Sequence, residues 1–225
     1  NMGHEGLQKF KQEFPSSALE AFQTTGHSLF DNEVLSQMMM EAKEPLSYED
    51  ILPFADEEVN WQKETWQRFP KELLPYVKSK ELLIFSLNKE KHKYYIGADF
   101  SEGVGRDDTS FVITDFSTEM SSVFSSNHRS PRECAMVLYH LAHYYNRAFV
   151  VVERASSGPT AIDVLRNEMG YMNMYKHRLP DERKKKRSTV GFITTQKSKL
   201  QIINDLRQWV NEYEFIVHDK KTLKQ

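Results

Sequence analysis

A small set of acids in the middle of the chain has the type and placement to handle a divalent cation. Asp99 interrupts the far end of Tyr94–Phe100, YYIGADF. That run is aromatic and apolar and predicts a buried strand, with Gly97 allowing close backbone approach. The following loop, Ser101–Asp108, holds two glycines and three more acids, Glu102, Asp107 and Asp108. Glu153 closes a second apolar run, Ala148–Val152, AFVVV, 54 residues after the first acid (153 − 99). A carboxylate in such a position either caps the next loop or does chemistry. Two carboxylates held a few ångströms apart repel, so one takes a proton or a cation holds both. A bridging Mg²⁺ or Mn²⁺ would activate water and neutralise charge on a phosphodiester, and two ions roughly 3.5–4 Å apart would clamp the attacking and leaving oxygens. Such a site usually needs at least three carboxylates. Asp107 and Asp108 are secondary candidates: either they add ligands or they shape a glycine-rich hairpin.

These acids need rigid elements behind them. After the Asp99 strand, Thr109–Phe116 and Met120–Ser126 read as two further strands, rich in Val, Ile and Phe and joined at Ser117-Thr118. Ser130-Pro131-Arg132-Glu133 is a capping box with proline at the first helical position. Cys134, Val137, Leu138, Leu141, Ala142 and Tyr145 then recur at helical spacing, which puts Cys134 on a buried stripe and makes it packing, not a nucleophile. The AFVVV strand follows, then a helix over Ala161–Met169 stopped by Gly170, a fifth strand at Tyr171–Tyr175, and a charged loop through Arg183–Arg187. Phe192–Thr194 is short and extended, a last helix covers about Ser198–Glu212, and Phe215–Val217 forms a final short strand. Three hairpin-linked strands, then helix, strand, helix, strand, helix, imply parallel pairing through right-handed crossovers. This is the element order of the ribonuclease H-like fold, an α/β mixed sheet flanked by helices. In it the first and fourth strands lie side by side, which would make neighbours of Asp99 and Glu153.

The first ninety residues read differently. Ser17-x-x-Glu20 caps a short helix that Gly26 closes, and Asp31 caps a second, Asn32–Ala42, stopped by Pro45. Leu46–Glu90 predicts loops and short helices, with Leu82–Leu87 a strand leading into the central one. The expected division is a linker or adapter over 1–90 and a ribonuclease H-like domain over 91–225.

Composition narrows the classes. The chain has 225 residues and a net charge of −2, so any contact with nucleic acid needs a local basic patch. Its single cysteine rules out an internal disulfide framework and fits a reducing compartment. No apolar run approaches membrane-spanning length and no leader pattern opens the chain, so a soluble, cytoplasmic protein without membrane contact is expected. The dipeptide Gly-Lys is absent, which excludes a Walker A loop.

Several of these motifs occur together, in order, in a known family. IGADFSEGVGRDDTSFVITD, YYNRAFVVVERASSG and VGFITTQKSK resemble the nuclease domain of the large terminase subunit of tailed bacteriophages. EFPSSALEAFQTTGHSLFD resembles the segment that joins that family's ATPase domain to its nuclease, and the whole likeness covers most of Glu13–Ile216. The resemblance implies a ribonuclease H-like endodeoxyribonuclease, dependent on Mg²⁺ or Mn²⁺, that cuts concatemeric viral DNA during packaging. The implied partners are double-stranded DNA, the terminase ATPase domain, the portal protein and the small terminase subunit, in the host cytoplasm at the procapsid portal. By position, Asp99 matches the family's first metal-binding acid and Glu153 its second. The third lies in a His/Asp-Asp motif beyond the final strand, and the sequence stops at Gln225 before it. His218-Asp219 falls too early, so Asp219 reads as a loop residue and the nuclease domain as lacking its C-terminal part. Where the family often has Asn after the second acid, this chain has Arg154, open to a phosphate contact or an ion pair.

Lys199 at the start of the last helix is a candidate to neutralise a phosphate, with a solvated helix start as its plain alternative. Arg183, Lys184, Lys185, Lys186 and Arg187 either form a solvated loop or track a DNA backbone. His140 and His143, three apart, lack a local third ligand and read as surface residues. Three rival readings remain open: another ribonuclease H-like enzyme of integrase or resolvase type, a phosphate-binding actin-like or sugar-kinase-like module, and a docking scaffold that is inert for want of its last acid.

Overall fold

The computed structural model describes residues 29–55, 68–103, 105, 107–179 and 187–224. The expected helix after Ser17 and the basic residues Arg183, Lys184, Lys185 and Lys186 lie outside them. In chain order the elements are α1 (Asn32–Glu41), α2 (Tyr48–Ala55), α3 (Leu74–Lys78), β1 (Leu82–Ile84), β2 (Tyr94–Asp99), β3 (Thr109–Asp115) and β4 (Met120–Ser126). There follow α4 (Pro131–Tyr144), β5 (Phe149–Val152), α5 (Gly158–Asp163), β6 (Lys176–Leu179), β7 (Arg187–Val190) and α6 (Gln196–Asn211). They form two compact units: one is Lys43–Thr194, and the other joins the described residues up to Ala42 with those from Thr195 onward.

The larger unit is built on a five-stranded mixed sheet of order β1-β4-β3-β2-β5. All pairs are antiparallel except β2 with β5, which run parallel with Tyr95 opposite Phe149 and Ala98 opposite Val152. Strand periodicity sorts the two faces. On β2, Tyr94, Ile96 and Ala98 are buried while Tyr95, Gly97 and Asp99 are exposed. The buried face joins Phe111, Ile113, Val150 and Val152 in one core with Cys134, Leu138 and Leu141 of α4. The capping box at the start of α4 is complete: Ser130 Oγ accepts from the Glu133 amide, and the Glu133 carboxylate accepts from the Ser130 amide. Burial pushes the Cys134 thiol up to about 12, in keeping with a packing role.

The smaller unit pairs α1 with α6. Asp31 caps α1 and its own amide donates to Asn211 Oδ1 at 2.9 Å, while the Tyr213 hydroxyl donates to Glu41 Oε2 at 2.6 Å. Thr195 and Ser198 make a reciprocal cap for α6. Asp219 accepts from the Lys221 and Thr222 amides and from the Thr222 hydroxyl, so it caps the turn that ends the described chain.

Four sequence expectations are corrected. Tyr171–Tyr175 is no strand: Tyr171 and Met174 are buried three apart, the Met174 amide donates back to Met172 O, and a single parallel bridge joins Met174 to Val150. Arg187 is not in a loop but starts β7, which pairs with β6 in a separate two-stranded ribbon. Leu82–Leu87 shortens to β1, which sits at the sheet edge beside β4 and not next to β2. Phe215–Val217 shrinks to a single β-bridge residue, Ile216; the Phe215 amide closes back onto Trp209 O, and the Val217 amide faces Met38 Sδ of α1.

Candidate metal centre

Asp99 and Glu153 stand at the ends of the two parallel neighbours. The Glu153 amide donates to Ala98 O at 2.9 Å, continuing the β2–β5 ladder one residue past Val152. Side chains alternate along a strand. Ala98 and Val152 face the core as a registered pair, so Asp99 and Glu153 both point to the opposite face. The sequence expectation that these two acids become neighbours on one side of the sheet is met.

The electrostatics agree with that closeness. Although Asp99 is an exposed residue, its carboxyl is held above its ordinary value first by the desolvation that surrounding atoms impose, then by the negative charge of Glu153, with Asp107 adding to it; the Phe100 amide works in the other direction. Among the described residues, no lysine or arginine forms an ion pair with Asp99, Glu153 or Asp107. Asp108 is committed elsewhere and accepts from Ser125 Oγ of β4 at 2.6 Å. Among the described residues no group of three or more Asp, Glu, His or Cys is gathered closely enough to enclose an ion. The site offered is a pair of acids with Asp107 within electrostatic reach.

The loop carrying Asp107 is pinned from both sides. Ser101 N donates to Thr109 Oγ1 at 2.9 Å, and Gly105 N donates to Asn127 O at 2.8 Å. Gly103 has φ +70° and lies against the 129–130 turn, where a Cβ would stand 2.1 Å from Arg129 O. Arg129 in turn is fixed by Glu81, whose Oε1 and Oε2 accept from Nε and Nη2 at 3.2 and 3.0 Å. Burial opposes ionisation of Glu81, but hydrogen bonds from Arg129 and Ser79 and the Arg129 charge outweigh it and draw the carboxyl down to about 2.

Glu153 is fixed by the start of α5 and by the segment around Phe192 and Thr194. Gly158 opens α5 directly against its carbonyl, and a Cβ there would lie 1.8 Å from Glu153 O. On its other side Phe192 makes a parallel bridge with Glu153, and the Arg154 amide donates to Phe192 O at 2.8 Å. Thr194 Oγ1, two residues further on, donates to Glu153 Oε1. Among the described residues Arg154 pairs with no acid: its Nη1 donates to Val190 O of β7 at 2.7 Å.

The remaining candidates are dispersed. Lys199 lies in the first turn of α6, in the other compact unit. Arg187 belongs to β7, whose ribbon also carries Lys176, His177 and Arg178 on β6. His140 and His143 flank Tyr139 as ring contacts on α4. The sequence reading missed Gly158 and Thr194 as supports of Glu153. Gly158-Pro159 signals only a helix start, and a threonine in an extended run carries no signal of its partner.

No protein-family model matches the chain, and no curated protein does. Solved structures do. The large terminase nuclease of thermophilic phage G20c, in its zinc-bound crystal structure, matches with a TM-score of 0.50 at 17% identity, over 86% of this chain and 85% of that one. The cobalt-bound structure of the same nuclease matches with a TM-score of 0.49 at 21% identity, over 64% of this chain and 67% of that one. The large terminase nuclease domain of Thermus phage P74-26 gives 0.48 at 19% identity, over 80% and 76%. The zinc-bound likeness shows the fold: a ribonuclease H-like mixed sheet flanked by helices.

Proposed function

We propose that this chain is the metal-dependent DNA endonuclease part of a phage DNA-packaging terminase, cutting concatemeric viral DNA. The observation that carries the reading is the pairing of Asp99 and Glu153 at adjoining strand ends, on one face, with neither acid in an ion pair among the described residues. Desolvation first, and then the charge of Glu153, make Asp99 harder to ionise, and a cation bound by both would relieve the repulsion. Carboxylate oxygens on rigid strands suit a hard ion such as Mg²⁺ or Mn²⁺. The phage G20c terminase nuclease that shares the fold binds zinc in its crystal structure.

In this reading Asp99 and Glu153 are the catalytic metal ligands, and Asp107 is a candidate third oxygen donor. Asp108, held by Ser125, shapes the hairpin. The ion, when bound, lowers the pKa of a water and offsets charge at phosphorus. Asp99 and Glu153 hold that charge at the end of the sheet, with Asp107 within electrostatic reach. Lys199, Arg154, Arg187 and Arg183–Lys186 are the candidates for phosphate contacts, which position DNA without reading its sequence. Arg154 would have to keep its bond to Val190 O while offering its other N–H groups. The packaging context adds the ATPase domain, portal and small terminase subunit as partners, in the cytoplasm of the bacterial host. No described helix is long and apolar enough to cross a membrane.

The test is nicking of supercoiled plasmid in Mg²⁺ or Mn²⁺. Activity is expected with the ion, none in EDTA, and losses on the order of 10²-fold or more for D99N and E153Q, as for removal of a principal charge-stabilising group. Full activity in either variant refutes the assignment.

A further inference from the structure

Glu153 has a flexible side chain facing a like charge, so something must hold its head. Ordering a glutamate costs up to roughly 1.5–2 kcal/mol of rotamer entropy. Repulsion from Asp99 drives the two apart. The polar side-chain contact the structure gives Glu153 is Thr194 Oγ1. A hydroxyl has one proton to donate, and here it goes to Oε1. Among the described residues Oε2 receives no hydrogen bond, so it is the oxygen left for an ion. The backbone leading to Thr194 is well anchored. Phe192 N donates to Val152 O at 2.7 Å, and Phe192 O accepts from Arg154 N at 2.8 Å. Gly191, with φ +92°, lets that segment approach, since a Cβ there would stand 2.9 Å from Val152 O and 2.8 Å from Arg154 Cγ.

We infer that Thr194 is a positioning residue for the metal centre: its hydroxyl fixes the Glu153 carboxylate by occupying Oε1 and so leaves Oε2 for the divalent cation. The inference rests on the metal reading of Asp99 and Glu153. Partners that orient metal ligands typically contribute 10–100-fold to metal affinity. Thr194 itself is exposed, so its replacement by valine removes the donor without opening a cavity in the core.

The experiment is Mn²⁺ binding by electron paramagnetic resonance, in the absence of DNA, for the chain and its T194V and T194S variants, with a thermal melt of each in EDTA. T194V should bind Mn²⁺ about tenfold more weakly, with an unchanged metal-free melt, while T194S, which keeps the hydroxyl, should bind like the parent. Parent-like affinity in T194V, or equal losses in T194V and T194S, overturns the role of Thr194 and leaves the metal centre standing. Absence of saturable Mn²⁺ binding in the parent chain overturns both.

Discussion

Replacing Gly158 by alanine perturbs Glu153 through its backbone. The added Cβ would lie 1.8 Å from Glu153 O, where real contacts are not closer than 3.0 Å, so at least 1.2 Å of separation must be created (3.0 − 1.8). No flexible side-chain end is available to yield, because the obstacle is a carbonyl. Glu153 is tied to β2 through its amide on Ala98 O, and Ser157 is tied through its amide to Phe100 O. Relief therefore moves the start of α5 or the end of β5. Overpacking of this kind costs about 1–3 kcal/mol. For a chain of this size that is a fall in melting temperature of about 2–4 °C per kcal/mol. A displacement near 1 Å at a catalytic group costs about 10²-fold in rate. Differential scanning calorimetry and plasmid nicking should therefore both register G158A. G97A is the control: a Cβ at Gly97 meets nothing within 4 Å, so its melt should not fall. A G158A protein that melts and cuts like the parent would refute the claim that α5 sets the position of Glu153.

Two further outcomes follow from the charges. Asp99 is harder to ionise when folded, so the metal-free protein should lose stability as pH rises from its ordinary value of 3.8 through its raised folded value, and level off above it. D99N should remove that loss and be the more stable protein at neutral pH in EDTA; urea titrations at acid and neutral pH would read it, and a less stable D99N would count against the cause assigned. Glu81 has the opposite sign: its carboxyl is drawn down from 4.5 to about 2, so its contribution is present above 4.5 and lost as pH falls toward 2. R129M should cost about 1.5–3 kcal/mol at neutral pH and flatten that acid limb, and an unchanged urea midpoint would show the pair to be idle.

Much of the part of the fold that carries Asp99 and Glu153 was legible from periodicity. β2, β3 and β5 alternate along one buried face and α4 buries one stripe, so alternation, helical spacing and a capping box were sufficient signals, while β4 is buried almost throughout and was legible from its place between two turn signals. Asp99 and Glu153 were legible as acids terminating core strands, and their adjacency followed from the parallel crossover. The ribbon β6–β7 was not, because its strands, Lys176–Leu179 and Arg187–Val190, are mostly polar and carry no apolar alternation in the sequence. Tyr171–Tyr175 misled for the reverse reason: its aromatic ends suggest period two, whereas Tyr171 and Met174 are buried three apart. The edge position of β1 depends on strand order, which local pattern does not encode. The supports of Glu153 depend on it too. Gly158 and Thr194 matter only because the chain returns to β5 on both sides.

One cation shared by Asp99 and Glu153 is the central claim. Anomalous diffraction from crystals soaked in Mn²⁺ tests it most directly. The predicted result is a peak within coordination distance of a carboxylate oxygen from each acid, absent from D99N crystals treated alike. A peak elsewhere on the chain, or none between these side chains at saturating Mn²⁺, would contradict it.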